Sequence, residues 1–165
     1  MTALLDFYRG DGRDAAGRTI DDVWAYDAKR LEMAHDFIQW LFPLPEPSRF
    51  NPDAPLLIPN DIAAFRTDAG LRARAVRSLD MMLRFYGLGR EGDAVMRGPG
   101  FANAHWLTPL NHNYLRLTRI LMFLRHVGLD REARAIYACL ADIAAHEGKD
   151  AISAHTLGFW RDAMA

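Results

Sequence analysis

The chain has 165 residues, half of them hydrophobic and a quarter charged, with a formal net charge of −1. This length predicts a single domain, residues 1–165, that buries enough surface to fold without disulfides or metals. The balanced charge excludes a general electrostatic attraction to nucleic acid, and no apolar run reaches the roughly 18 residues of a membrane span.

The residue composition also indicates where the protein resides. The single cysteine, Cys139, excludes an intrachain disulfide and fits a reducing compartment such as the cytoplasm. The N-terminus lacks a basic stretch followed by an apolar run, so we expect no signal peptide. Lysine occurs only at Lys29 and Lys149, whereas alanine and arginine are abundant, which is typical of GC-rich bacterial genomes. We therefore expect a cytoplasmic, bacterial protein.

The first predicted helices precede residue 43. A helix begins at Thr19, where an acidic residue three positions later completes a capping box. Residues 28–42 have the apolar spacing of one longer helix, which Pro43 ends. His35 and Trp40 lie at the two edges of its apolar face. That face is formed by Leu31, Met33, Ala34, Phe37, Ile38, Leu41 and Phe42.

A proline-rich segment follows, with six of the eight prolines between Pro43 and Pro59. The prolines exclude a helix, and the segment has too few charges for a solvated linker. We predict an extended strap that packs across the helices. Its apolar residues, all expected to be buried, are Leu44, Phe50, Leu56, Leu57 and Ile58.

The remaining helices predicted by apolar spacing cover residues 60–65, 71–86, 109–127, 131–147 and 154–164. The segment from Gly87 to Gly100 is predicted to be a loop, because it contains several glycines and a proline. Arg77 and Arg84 flank Asp80, which predicts ordinary surface ion pairs. The fold class expected from the sequence is therefore all-α: a single-domain bundle of five to six substantial helices with a proline-rich strap.

No spacing typical of a zinc site, a phosphate-binding loop or an activated nucleophile is present. We therefore expect neither an enzyme nor a bound cofactor or metal. An alternative is a hydrolase or transferase site assembled in space from His112, His35 and Asp36.

The most unusual polar residues lie in the helix predicted at 109–127. His112, Arg116 and Arg119 are spaced so that they share one face of an otherwise apolar helix, with Asn113 beside them. In one interpretation they form an internal clasp with carboxylates, because a buried charge costs several kcal/mol unless it is paired. The carboxylates available for this are Asp22, Asp27, Asp36 and Glu46. In the other, they line a pocket for a carboxylate or phosphate, with Trp40, Trp106 or Tyr114 as an aromatic wall.

The strings HDFIQWLFPLPEPSRFN, LDMMLRFYG and HNYLRLTRIL, together with FYRG near the start and SAHTLGFW near the end, identify a resemblance. In this order they resemble the conserved N-terminal region of the opioid growth factor receptor family. The resemblance implies a helical domain which, in the animal receptors, is associated with binding methionine-enkephalin and restraining cell proliferation. It implies no catalytic residues. Phe37 and Pro45 depart from the tyrosine and arginine that are commoner in the family.

Together, the polar face and the family motifs select the candidate ligand-binding residues. They are His35, Gln39, Trp40, His112, Asn113, Arg116 and Arg119. We expect them to bind a peptide or another small anionic ligand that bears a carboxylate, since an arginine fork suits that group. The alternative is a structural or protein-interaction module in which the polar face is an internal clasp. The surface that binds a partner then lies elsewhere, for example at the loop from Gly87 to Gly100.

Overall fold

The computed structural model describes the whole chain, Met1–Ala165, which groups into two compact units, Met1–Met81 and Met82–Ala165. The first unit contains α1 (Ala3–Arg9), α2 (Ile20–Trp24), α3 (Ala28–Met33), α4 (Ile38–Leu41), α5 (Pro59–Thr67) and most of α6 (Ala69–Phe85). The second contains β1 (Leu88–Glu91), β2 (Ala94–Arg97), a 3₁₀ turn (Phe101–Asn103), α7 (Asn113–His126), α8 (Asp130–Ala145) and α9 (Ala154–Ala163). The single domain expected from the chain length stays a prediction.

The all-α fold class is wrong, because nine α-helices accompany a two-stranded antiparallel sheet. The count of five to six helices is wrong as well. The helices α1 to α4 have only four to seven residues each. Helical periodicity becomes recognisable over windows of roughly 11 to 18 residues, so helices of this length leave little signal. The fold is mixed α and β.

The sheet occupies the segment predicted to be a loop. The strands β1 and β2 pair in register from Leu88 opposite Arg97 to Glu91 opposite Ala94. Gly92 has a φ of +60° and occupies the first position of the two-residue turn, an arrangement that favours tight hairpins. Leu88 and Val95 are buried, and β2 packs on α8.

Residues 28–42 form two short helices rather than the single helix predicted. After α3, Ala34 adopts an extended conformation, and helical structure resumes only at Ile38. The break explains why the predicted apolar face is only partly buried: Phe37 and Leu41 are fully buried, whereas Met33 is 67 % exposed. A helical wheel cannot detect such a break, because it assumes one continuous helix.

The proline-rich segment is non-helical, as predicted, and its two ends are joined by a hydrogen bond. Leu57 N donates to Leu44 O over 3.0 Å, and both of these side chains are buried. The prediction that the other apolar residues of the segment are buried is wrong. Phe50 is 79 % exposed, and Leu56 and Ile58 are also exposed.

Several predicted helix ends are confirmed. Thr19 and Asp22 form both hydrogen bonds of the capping box at the start of α2. The Ser153 side chain accepts a hydrogen bond from Thr156 N at the start of α9. Gly128, with a φ of +80°, follows the end of α7. An additional helix, α1, is capped by Thr2.

The helix that carries the polar face is α7, and it packs against both α8 and α9 within the second unit. It begins at Asn113 rather than near Pro109, because Leu110 has a φ of +59° that interrupts any helix there. The apolar side chains of α7 form much of the core of this unit. They are Tyr114, Leu117, Ile120, Leu121, Phe123 and Leu124.

Candidate functional site

The polar residues of α7 differ in their exposure to solvent. His112, the residue that precedes the helix, is exposed. Asn113 is fully buried and Arg116 is 5 % exposed, whereas Arg119 is half-buried. We call these four residues the α7 polar strip. Within two turns, the strip runs from solvent into the protein interior and partly out again.

The start of α7 is held by side-chain hydrogen bonds from the preceding loop. Asn111 Oδ1 accepts from the backbone N–H of Asn113 over 2.9 Å, an Asx turn that replaces the missing side-chain cap at His112. Asn111 Nδ2 in turn donates to Thr108 Oγ1 over 3.0 Å, and the Tyr114 hydroxyl donates to Thr108 O over 2.8 Å. These bonds fix the position of the strip relative to the loop.

Asn113 is the centre of a buried hydrogen-bond network. Its Oδ1 accepts from the Tyr86 hydroxyl at 3.3 Å and from Arg116 NH1 at 3.4 Å. Its Nδ2 donates to Asn111 Oδ1 at 3.0 Å. Buried polar groups need such partners, since an unsatisfied donor or acceptor costs about 1–3 kcal/mol. The amide therefore links Arg116 to the end of α6.

Aromatic side chains of the segment between α6 and α7, of α7 and of α9 pack beside this network. Trp106 contacts Tyr86 edge-to-face, with the ring centroids 5.3 Å apart, and Tyr114 contacts Trp160 in the same way at 5.9 Å. Trp106 Nε1 donates to Tyr86 O over 3.0 Å. Burial raises the pKa of Tyr114, so its hydroxyl stays a donor at neutral pH. Trp106 and Tyr114 are buried, so they serve as core side chains here.

Three predicted site residues lie in the first unit. Gln39 is buried on α4, and its Oε1 accepts from Asn51 Nδ2 of the proline-rich segment over 3.3 Å. Trp40 is buried and packs edge-to-face on Phe7, with the ring centroids 5.2 Å apart. His35 is exposed in the segment between α3 and α4. Gln39 thus supports the proline-rich segment, and Trp40 is a core side chain.

Three of the four carboxylates expected to pair with the strip, Asp22, Asp27 and Asp36, have contacts within the first unit. Asp36 Oδ1 lies 2.9 Å from Arg18 NH1, and Asp14 also pairs with that arginine at 2.6 Å. Asp22 caps α2 and Asp27 caps α3 through backbone hydrogen bonds. The capping bond to Thr19 lowers the pKa of Asp22, because it favours the charged carboxylate.

Sequence reasoning missed two residues of the α7 network, Tyr86 and Asn111. Asn111 lies two residues before Asn113, and the Asx-turn preference of asparagine was an available signal. Tyr86 lies 27 residues from Asn113, so no local spacing could predict its bond to the amide.

No group of three or more histidine, cysteine, aspartate or glutamate residues is arranged to hold a metal ion. Burial raises the pKa of the Cys139 thiol, which disfavours the reactive thiolate. No helix combines the length and the apolar character needed to cross a bilayer. The α7 polar strip offers hydrogen-bond donors and positive charge.

The fold and the strip define a helix-rich domain with an arginine-lined helix face. The family model of the opioid growth factor receptor (OGFr) conserved region matches residues 4–164, and the chain belongs to this family. The chain is 40 % identical over 134 residues to the opioid growth factor receptor of Mus musculus, covering 76 % of this chain and 21 % of that protein. It is 36 % identical over 140 residues to the receptor of Homo sapiens, covering 78 % and 20 %.

A second group of relatives carries a different name. Opioid growth factor receptor-like protein 1 of Xenopus tropicalis is 36 % identical over 120 residues, covering 69 % of this chain and 23 % of that protein. The chain thus spans about a fifth of the length of the curated relatives it matches. No solved structure matches the chain.

Proposed function

We propose that this chain is a non-enzymatic, receptor-like binding domain that recognises a carboxylate-bearing ligand, in particular a peptide, through the α7 polar strip. The single observation that carries the proposal is the change in exposure along the strip, from exposed His112 through nearly buried Arg116 to half-buried Arg119. A cation that a buried network holds in place, as Asn113 holds Arg116, is pre-organised for an anion.

Two further features favour an anionic ligand. The N-terminus of α7 adds positive partial charge next to His112, because the peptide dipoles of the helix are aligned. A guanidinium also binds a carboxylate through two parallel hydrogen bonds, and the C-terminal carboxylate of a peptide can accept both. Curated members of the family are named opioid growth factor receptors, which supports a peptide as the ligand.

The same proposal includes the first-unit residues of the family motif. His35, Gln39 and Trp40 belong to the proposed set through the motif, and the burial of Gln39 and Trp40 gives them a supporting role. A cytoplasmic, bacterial setting is also part of the proposal. The free, buried Cys139 and the abundance of arginine over lysine support it.

The decisive experiment compares methionine-enkephalin with a free C-terminal carboxylate and the same peptide with an amidated C-terminus, by isothermal titration calorimetry. We expect the amidated peptide to bind about tenfold more weakly, because a charge-assisted hydrogen bond contributes about 1.5–3 kcal/mol. Arg119→Leu should abolish the difference between the two peptides. Arg134→Leu, which removes an exposed arginine of α8, is the matched control and should leave the difference unchanged.

The second candidate is a protein-interaction module in which the strip is an internal clasp. The hydrogen bonds from Tyr86 and Arg116 to the buried Asn113 favour it, because they satisfy these groups within the protein. In this case neither form of the peptide binds, and Arg119→Leu instead lowers the free energy of unfolding by a few kcal/mol. Thermal unfolding of Arg119→Leu, measured beside the titration, therefore separates the two functions.

A further inference from the structure

A separate group of arginines surrounds the half-buried indole of Trp24 in the first unit. The guanidinium carbon of Arg77 lies 4.1 Å from the centroid of the Trp24 ring, and that of Arg74 lies 5.5 Å from it. Arg74 and Arg77 are three residues apart on α6, so they approach the ring from the same helix face. Two cations therefore share one aromatic ring.

The ring itself is anchored to buried polar groups. Trp24 Nε1 donates to Ser78 Oγ over 3.1 Å, and Ser78 is fully buried. The Tyr8 hydroxyl lies 3.1 Å from the same oxygen and donates to Leu41 O over 2.6 Å. Burial raises the pKa of Tyr8, so the hydroxyl remains protonated and the network remains intact at neutral pH. The indole is thus held in a fixed orientation.

The charges of Arg74 and Arg77 are not neutralised by a carboxylate. Other arginines of this unit form ion pairs: Arg9 with Asp68 and Arg18 with Asp14. Arg77 contacts the indole instead of forming the ion pair with Asp80 that the sequence predicted. Arg74 uses one donor for Tyr8 O, 3.2 Å away. A guanidinium that stacks on a ring keeps its in-plane N–H donors available for another group.

We propose that Trp24, Arg74 and Arg77 form a binding site for an acidic segment of a protein partner, whose aspartate or glutamate carboxylates accept hydrogen bonds from the two guanidinium forks. The charge complementarity is direct, because two unneutralised cations lie side by side on an ordered ring. Arg77 is exposed and Trp24 only half-buried, so the site is an open surface. Sites for small molecules are typically concave, so an open surface favours a polypeptide segment instead.

The geometry disfavours a nucleic acid at this site. Single-stranded nucleic acids bind proteins by stacking bases on exposed aromatic faces. Here the guanidinium groups stack on the indole. Trp24, Arg74 and Arg77 all belong to the first unit, whereas the α7 polar strip belongs to the second.

The experiment measures fluorescence anisotropy of a labelled octaglutamate peptide titrated with the protein, and of octaglutamine as the uncharged control. We expect the protein to bind octaglutamate only, with an affinity that falls as salt is added. The double variant Arg74→Gln/Arg77→Gln should bind octaglutamate about tenfold more weakly, because it loses both charge-assisted contacts. The control Arg49→Gln/Arg134→Gln removes the same charge from two exposed arginines elsewhere and should change the affinity less than about twofold.

Three results would overturn the proposal. The first is the absence of octaglutamate binding by the unmodified protein. The second is an equal loss of affinity in the control variant, which would indicate a non-specific charge effect. The third is tighter binding of a labelled oligouridine that depends on the same two arginines. If the double variant does not fold, Arg77→Gln alone, at an exposed position, provides the test, and an unchanged affinity in it would also overturn the proposal.

Discussion

Arg77 on α6 and Arg116 on α7 are both arginines of long helices, but they differ in burial. Arg77 is exposed and contacts Trp24 through the face of the ring, whereas Arg116 is 5 % exposed and donates a hydrogen bond to Asn113. Water solvates the first charge. The second has lost most of its hydration and depends on hydrogen bonds within the protein. We therefore expect burial to decide how strongly each arginine contributes to stability.

The largest expected effect comes from replacing each of the two arginines by alanine. Arg116→Ala should lower the free energy of unfolding by about 3 kcal/mol, because it leaves a cavity and removes a donor from the buried Asn113 network. Arg77→Ala should lower it by about 0.5 kcal/mol or less, since an exposed cation–π contact contributes little. Urea unfolding followed by circular dichroism measures both changes.

A matched substitution tests whether the network accounts for the effect of Arg116→Ala. Tyr86→Phe removes a second hydrogen bond to Asn113 Oδ1 without a change in ring packing, and should cost about 1 kcal/mol. The two variants should be coupled, because they share an acceptor. Equal losses in Arg116→Ala and Arg77→Ala would contradict the comparison, as burial would then not distinguish the two arginines.

An intermediate effect is expected at the buried hydroxyl that positions Trp24. Ser78→Ala removes the acceptor for Trp24 Nε1 and should cost about 1 kcal/mol, measured by urea unfolding. Trp24→Phe removes the same hydrogen bond from the other side. The double variant should therefore lose less than the sum of the two single losses. If the losses of the two single variants simply added in the double variant, this hydrogen bond would not hold the indole. Arg74 and Arg77 would then contact a ring whose orientation is not fixed by Ser78.

The sequence predicted those features that depend on neighbouring residues. The capping box of Thr19 and Asp22 was predictable because both bonds lie within one turn. The glycine after α7, Gly128, was predictable from its preference for positive φ. In the site, the sequence predicted that Asn113 and Arg116 lie side by side on one helix, but not the hydrogen bond between them. These predictions need no knowledge of the tertiary fold.

Features that depend on residues distant in sequence were missed. The contact of Arg77 with Trp24 joins residues 53 positions apart, and local spacing instead suggested Asp80 as the partner. The hairpin was missed although Gly92 and Asp93 lie between the strands, because the glycines around them indicated a loop. The break before Ile38 was missed because the apolar spacing of residues 28–42 is compatible with one helix. In each case a tertiary contact or a turn decided the structure, and the local spacing of residues did not reveal it.

The smallest effect is expected at Arg97, an exposed arginine that does have carboxylate partners. Its guanidinium lies 2.5 Å from Glu147 and 2.7 Å from Asp142. The hydrogen bond from Arg97 lowers the pKa of Glu147 and the pair raises the pKa of Arg97. Because the pKa of Glu147 is lower in the folded than in the unfolded protein, its contribution to stability is present above the unfolded value, about 4.3, and is lost as the pH falls through the folded value.

Glu147→Gln removes this titration, so the free energy of unfolding of the variant should fall less steeply with decreasing pH below about 4.3 than that of the unmodified protein. Urea titrations at several pH values measure the slopes. Glu91→Gln is the control, since this exposed glutamate on β1 makes no ion pair. A steeper slope in Glu147→Gln, or the same change in Glu91→Gln, would show that Arg97 does not favour the charged form of Glu147. Arg97 would then behave as Arg77 does, as a solvated cation whose removal leaves stability almost unchanged.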